Sequence, residues 1–316
     1  LSLGLEEKNF LGKGIKTRIS IQTSEKSARY NIGVTEPYFQ DTPLSLSGDV
    51  FDQEVEIGQK EIEKQGVQVG IGFRLNDYRN RVGYRYTSSK TTTDAGFTGT
   101  SISGEEGIEI ETSLVNYLIS SNNTDSFFNP TKGVKKSLAM SVAGVGGDSK
   151  FLKTEATFKE YIPFNYGDYI FSYGSKLGVI SSLDNEKETS SNRFYLNSNS
   201  VRGFDLNGIG PRDDGNDNAV GGNKFYTGQV EVKAKKLVPG DLGIDVSIFS
   251  DIGSLWDTDY PTNVTGVDDS SPRASAGVAV YWNTAVGPLS FIWGWPIIEE
   301  NYDKDNNFKF SIGTSF

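Results

Sequence analysis

Arg202 stands in the run Val201-Arg202-Gly203-Phe204, an arginine set between apolar residues beside a glycine that frees the backbone. An arginine in that setting is built to be tucked in rather than solvated. Its planar guanidinium then needs carboxylates placed for bidentate contact. The chemistry on offer is charge-assisted hydrogen bonding, and candidates for covalent chemistry are few. The 316 residues contain no histidine and no cysteine. That removes the commonest general base, the commonest metal ligand, every Ser-His or Cys-His pair, thiolate metal sites and disulfides. The composition argues against an enzyme and supplies no cofactor or metal site. A net charge of −10 argues against nucleic acid, because phosphate binding needs a basic footprint.

The arginine lies in the longest stretch that cannot be a strand, 182–222, which carries Gly203, Gly208, Gly210, Pro211 and Gly215. Long loops of this kind inside strand-rich chains are usually functional or disordered. On both sides the chain alternates polar and apolar with a period of two. Ile15 and Ile19 share one face and Lys16 the other. Leu138, Met140 and Val142 oppose Ser137 and Ser141. Lys153 and Glu155 oppose Leu152 and Ala156. Ile244 and Val246 oppose Asp245, and Leu289, Phe291, Trp293 and Trp295 share a face. Phe308, Phe310, Ile312 and Phe316 of the last segment oppose Asn307, Lys309, Ser311 and Ser315. Any half-buried antiparallel sheet gives such alternation, a soluble sandwich included.

Connection lengths discriminate further. Fifteen strands are predicted, and short turns (9–13, 37–43, 75–77, 122–132, 162–165, 237–242, 283–287) alternate with mostly longer connections (53–64, 88–106, 182–222, 254–272, 296–305). Short turns on one rim and long loops on the other mark an outer-membrane barrel. No run of 18 apolar residues offers a spanning helix, but a spanning strand needs only about 9–11 residues with every second one apolar. Tyr38, Phe39, Phe127, Phe128, Tyr161, Phe164 and Tyr166 flank short turns, where an interfacial girdle would lie. The expected fold is an all-β, transmembrane antiparallel barrel domain over 1–316. In it, Ile15, Ile19, Leu138, Met140, Val142, Ile244, Val246 and Phe310 face outward, and Lys16, Lys153, Glu155, Asp245 and Lys309 face the lumen. Single-chain bacterial barrels have an even strand number, so an odd count predicts one further strand in front of Leu1. Glu231, on the polar face with Thr227 and Gln229, and Asp251, on the polar face with Asp245 and Ser247, both point inward from neighbouring strands.

Several segments in order resemble the BamA family of outer-membrane barrels: Phe127-Phe128-Asn129-Pro130-Thr131-Lys132-Gly133, Val201-Arg202-Gly203-Phe204 with Gly208-Ile209-Gly210-Pro211, Val220-Gly221-Gly222-Asn223, Asp251-Ile252-Gly253-Ser254-Leu255-Trp256-Asp257, Pro272-Arg273-Ala274-Ser275-Ala276-Gly277, Gly287-Pro288-Leu289, and 308–316. The resemblance covers essentially the whole chain. It implies a sixteen-stranded barrel whose first strand and N-terminal POTRA domains are absent from this sequence, with 182–222 as an extracellular loop folded inward. It implies that Arg202 pairs with Glu231 and Asp251. It also implies a weak lateral seam between first and last strands, with Phe308, Phe310, Ile312, Gly313 and Phe316 on the last, that opens so a client strand can pair with the edge. Gly313 would weaken that strand and permit a bend.

The implied function is folding and insertion of β-barrel proteins into the bacterial outer membrane. The partners would be outer-membrane lipids, unfolded β-barrel clients and, through the periplasmic domains, accessory assembly lipoproteins. A related barrel that secretes or translocates a protein partner through its lumen would share the loop motif. A passive porin would not need it.

Overall fold

Side chains of a strand point alternately to opposite faces, so the period-two pattern fixes which residues line a lumen once the sheet curls. The protein is seen in a computed structural model that describes residues 2–24, 26–94, 99, 105–127, 129–184, 187–235, 237, 242–259, 262–284 and 287–312. Its strands are β1 (Ser2–Phe10), β2 (Ile15–Ser24), β3 (Ser27–Glu36), β4 (Leu44–Ile57), β5 (Lys60–Leu75), β6 (Tyr78–Thr93), β7 (Glu109–Asn122), β8 (Gly133–Gly147), β9 (Phe151–Phe164), β10 (Tyr169–Ser182), β11 (Arg212–Asp213), β12 (Lys224–Ala234), β13 (Ile244–Trp256), β14 (Val264–Thr265), β15 (Arg273–Thr284), β16 (Gly287–Ile298) and β17 (Phe308–Ile312). Among the described residues, fifteen of them form one sheet in chain order, and β11 pairs with β14 outside it. Every neighbouring pair is antiparallel, and β1 and β17 each have one partner among the described residues.

Cross-strand register places the apolar residues in continuous rows on the outside. Ile32 lies opposite Val50, and Val50 opposite Val67. Val69, Tyr84, Val115, Val142 and Leu152 follow one another across five strands. Ile32 and Val50 are each 58% exposed, and Leu138, Met140 and Val142 are exposed as expected. Water would not tolerate apolar rows of this extent on a monomer, whereas a bilayer requires them. The opposite face carries the charges. Lys153 and Glu155 line the lumen, Asp245 is buried, and Lys309 reaches the inward loop. The buried apolar cluster sits inside the barrel. Phe151, Ile180, Phe225 and Leu255 of the wall pack on Phe194, Leu196, Val201, Phe204 and Ile209 of the loop.

Three expectations need correction. The stretch 53–64 is not a loop: β4 and β5 run on to Ile57 and Lys60 as a long hairpin, and β6 continues to Thr93. Alternation persists there, but with Asp52, Glu54, Glu56, Glu61 and Glu63 on the outer face, so acidity concealed a strand that leaves the membrane. Tyr161 is not a girdle residue. It shares the lumen face with Glu155 and lies beside the ammonium groups of Lys135 and Lys159, because one residue of register turns a strand side chain through the sheet. Tyr38, Phe127, Phe164 and Tyr166 are exposed at the short-turn rim, while Phe39 is half-buried. Phe128 lies outside the described residues.

Candidate functional site

The segment after β10 turns back into the barrel instead of crossing above it. Gly203 has φ +99°, which admits glycine readily and other residues poorly. Its partner is Gly294 on the lumen face of β16. A Cβ on Gly294 would stand 2.8 Å from the Gly203 nitrogen, and one on Gly203 would stand 3.1 Å from the Gly294 carbonyl carbon. Two glycines therefore let the loop backbone lie against the wall. Val201 packs where a Cβ on Gly253 of β13 would be, and Phe204 is almost fully buried.

This seats Arg202 among groups from three strands. Nε and one terminal nitrogen of its guanidinium donate to the two carboxylate oxygens of Asp251, each at 2.8 Å. The other terminal nitrogen donates to Glu231 at 2.6 Å, and the Arg202 backbone N–H donates to Asp251 at 2.9 Å. The guanidinium carbon lies 3.6 Å from the centre of the Phe249 ring, and Tyr281 donates its hydroxyl to the remaining Glu231 oxygen. The Asp251 side chain is 0% exposed. Burial works against the arginine's charge, but the hydrogen bonds and charge of Asp251, then the charge of Glu231, outweigh it and hold the guanidinium above its usual range. Glu231 and Asp251 are not directly opposite each other. Asp251 faces Gln229 and Glu231 faces Phe249, so the acids form a diagonal pair whose two heads reach one guanidinium.

The loop also holds the last strand. Backbone bonds run from Asp205 N–H to Lys304 carbonyl, from Lys304 N–H to Gly208 carbonyl, and from Asn306 N–H to Gly203 carbonyl. Lys309 of β17 donates to Ser198 Oγ at 2.7 Å and to Asn199 Oδ1 at 2.8 Å. On the outer face Phe308 and Phe310 pack at a tilt against Trp293 and Phe291 of β16, at 5.4 and 5.1 Å between ring centres, and Ile312 is exposed. Gly313 and Phe316 lie outside the described residues.

Four further buried cations escape a reading for alternation. Arg273, fully buried, donates to Asp303 at 2.9 Å, to the Ser271 carbonyl at 2.7 Å and to Tyr302, joining the loop before β15 to the loop before β17. Arg193 donates to the carbonyls of Glu188 and Val220. Arg212 donates to those of Asp217, Asn207 and Gly208, and Lys60 to that of Ala219. These cations satisfy loop carbonyls that have no ladder to join. The one signal in the sequence was position: Arg273 opens a strand directly after Pro272.

The arrangement is a set of ionic and backbone tethers that fix a loop inside a barrel and fix the last strand to that loop.

The description "Omp85 superfamily domain" matches residues 9–316. The outer membrane protein assembly factor BamA of Neorickettsia risticii is 28% identical over 98% of this chain, which spans 42% of that relative. The crystal structure of BamA from Haemophilus ducreyi lacking POTRA domains 1–3 superposes with a TM-score of 0.86 at 23% identity, covering 99% of this chain and 66% of that one. CdiB from Acinetobacter baumannii, at 12% identity and covering 98% and 55% of the two chains, gives 0.57. The barrel geometry is thus much nearer to the first structure than to the second. With a family match running from β1 through the loop arginine to the last residue, the chain belongs to the Omp85 superfamily of outer-membrane β-barrels.

Proposed function

We propose that this chain is the membrane part of a factor that folds β-barrel proteins and inserts them into the outer membrane, through a lateral seam at the β17 edge and without covalent chemistry. The observation that carries this reading is the tether between the inward loop and the last strand. Three backbone hydrogen bonds join 203–208 to 304–306 immediately before β17, and Lys309 adds two more to Ser198 and Asn199. An edge strand in lipid has N–H and C=O groups that nothing but another strand can satisfy. Strand addition by a client supplies that partner, and its affinity comes from main-chain hydrogen bonds. Holding the start of the edge strand in register, while its outer face carries Phe308, Phe310 and Ile312, prepares a template for such an addition. A passive porin gains nothing from fixing its edge strand to a lumen loop. A lumen translocator would need that loop to leave.

In this reading Val201, Arg202, Gly203 and Phe204 form the lock. Glu231 and Asp251 are its seat, and 308–316, Gly313 and Phe316 included, form one side of the seam. A further strand and periplasmic POTRA domains would complete the protein. The partners are unfolded β-barrel clients, the surrounding lipids and accessory lipoproteins bound by the periplasmic domains. The absence of histidine and cysteine fits non-covalent work.

The test places a photo-crosslinking residue at Phe310, and separately at Ile248 on β13, in the full-length protein in liposomes supplied with a urea-unfolded β-barrel client. The expected result is accelerated client folding, with crosslinks to the client from position 310 and none from 248. Folding at the rate of protein-free liposomes, or equal crosslinking at both positions, would refute the seam.

A further inference from the structure

The half of the lumen away from Arg202 is not filled. The walls of β2 to β9 and the loop residues Ser191 and Asn192 enclose a cavity of about 670 Å³. Six cationic side chains line it: Arg18, Arg29, Lys64, Arg81, Arg85 and Lys153. The carboxylates lining it are Asp49 and Glu155, so its formal charge is six minus two, or +4, in a chain of net charge −10. Arg81 approaches Asp49 at 3.5 Å. None of the other five forms an ion pair within 4.0 Å among the described residues, although the charges of Glu155 and Glu188 act on Lys153 and that of Asp49 on Arg85. Arg85 donates twice to the Gln68 side-chain oxygen, Arg29 donates to Gln53, and Lys64 and Lys153 donate to the loop carbonyls of Ser191 and Asn192. Arg81 Nε is buried with no hydrogen-bond partner. Arg81 also lies flat on Gly70, where a Cβ would stand 2.8 Å from that nitrogen. The wall has therefore made room for the guanidinium, one of whose terminal nitrogens donates to Ser47 Oγ at 3.0 Å and to Asp49 at 3.5 Å, a single long contact in place of the two-pronged carboxylate pairing that its geometry suits.

The spacing selects the ligand. Arg81 and Arg85 are four residues apart on one face of β6, roughly 14 Å, and the six cations are spread over β2, β3, β5, β6 and β9, with neighbouring strands about 4.8 Å apart. One compact anion can meet two of these groups at most. An extended chain with a carboxylate at every residue or every second residue can meet most of them. Side-chain amides of Gln22, Asn31, Gln53 and Gln68 stand between the cations and suit peptide N–H and C=O groups. The loop roofs the cavity from above, so entry is from the short-turn rim.

We propose that this chamber binds an acidic segment of an unfolded polypeptide, through guanidinium–carboxylate contacts on β2, β3 and β6. That the polypeptide is a β-barrel client rests on the function proposed above; the binding itself does not.

The experiment uses the protein in detergent micelles and a fluorophore-labelled hexaglutamate peptide, read by fluorescence polarisation. Hexaglutamine and inorganic triphosphate serve as competitors. Saturable binding is expected. It should weaken steeply between low and physiological salt, and hexaglutamine should not displace it. Arg81→Gln/Arg85→Gln and, separately, Arg18→Gln/Arg29→Gln should each weaken it at least about tenfold, or about 1.4 kcal/mol. Lys26→Gln, on the opposite rim, should not change it. Each variant is first shown to keep its heat-modifiable migration on gels, and two independent pairs guard against one failing to fold. Binding that is unsaturable, or unchanged in both folded pairs, overturns the proposal. Displacement by triphosphate at the concentration of unlabelled hexaglutamate overturns the peptide assignment in favour of a phosphate site. If clients fold normally while hexaglutamate does not bind, the chamber fails and the seam reading stands.

Discussion

Replacing Arg202 by alanine removes one side chain and leaves two diagonal carboxylates on adjacent strands of the lumen wall without their shared cation, with side-chain exposures of 13% for Glu231 and 0% for Asp251. Breaking a buried pair costs about 3–5 kcal/mol, because the abandoned charge keeps its desolvation penalty. Here one cation serves two acids, and its contact with the Phe249 ring adds up to about 2 kcal/mol when desolvated. Relaxation and water entry at the Glu231 side reduce the sum, so the expected loss is about 4 kcal/mol, or roughly a thousandfold in the equilibrium that docks the loop. Hydrogen exchange on the folded barrel reads this directly. The Arg202 amide, bonded to Asp251, and the Asn306 amide, bonded to Gly203, should lose protection together, while amides in the β5–β6 ladder keep theirs. Asp251→Asn in the Arg202→Ala background should cost much less than in the parent chain, since the charge it removes is already unpaired. Arg202→Lys keeps the charge but loses the fork, and should fall between the two. Loss of less than tenfold in protection at Arg202, or additive effects of the Arg202 and Asp251 substitutions, would show that the network does not hold the loop.

Gly294→Ala should loosen the same loop from the other side by about 1–3 kcal/mol, through overpacking against the Gly203 nitrogen 2.8 Å away; exchange at Asn306 checks it. Arg273→Gln leaves Asp303 buried beside a neutral partner and should cost about 3 kcal/mol, seen as faster proteolysis within 299–307. Glu188, on the loop, is pushed up to about 7 by burial and then by the charge of Asp259. A carboxyl raised above its unfolded value favours the folded loop when protonated. Docking should therefore tighten as pH falls from about 7 towards the usual carboxylate range, by at most about 3 kcal/mol before solvent screening, and weaken as pH rises. Limited proteolysis across that window should show the trend in the parent chain and a flat profile in Glu188→Gln.

Period-two alternation by itself determined the wall of this protein. It told Leu138, Met140 and Val142 from Ser141, and Asp245 from Ile244, because a strand has two faces and no other way to place its side chains. It also put Glu231 and Asp251 on the lumen side, and the isolated arginine beside a glycine announced a group that must find acids. Alternation could not tell that 53–64 is strand, since outside the bilayer the outer face turns acidic and the hydrophobic contrast that marks a spanning strand disappears. It could not fix the offset between Glu231 and Asp251, which depends on the register of β12 against β13, nor assign Arg273, two of whose partners, Asp303 and Tyr302, come from the loop before the last strand. Only the tertiary structure decided which strand the loop would touch. The approach of Gly203 to Gly294, and the hydrogen bonds from 203–208 to 304–306, follow from folding a segment of some forty residues back through the barrel. Loop backbone has no period to read: its N–H and C=O groups take whatever partners the closed space supplies.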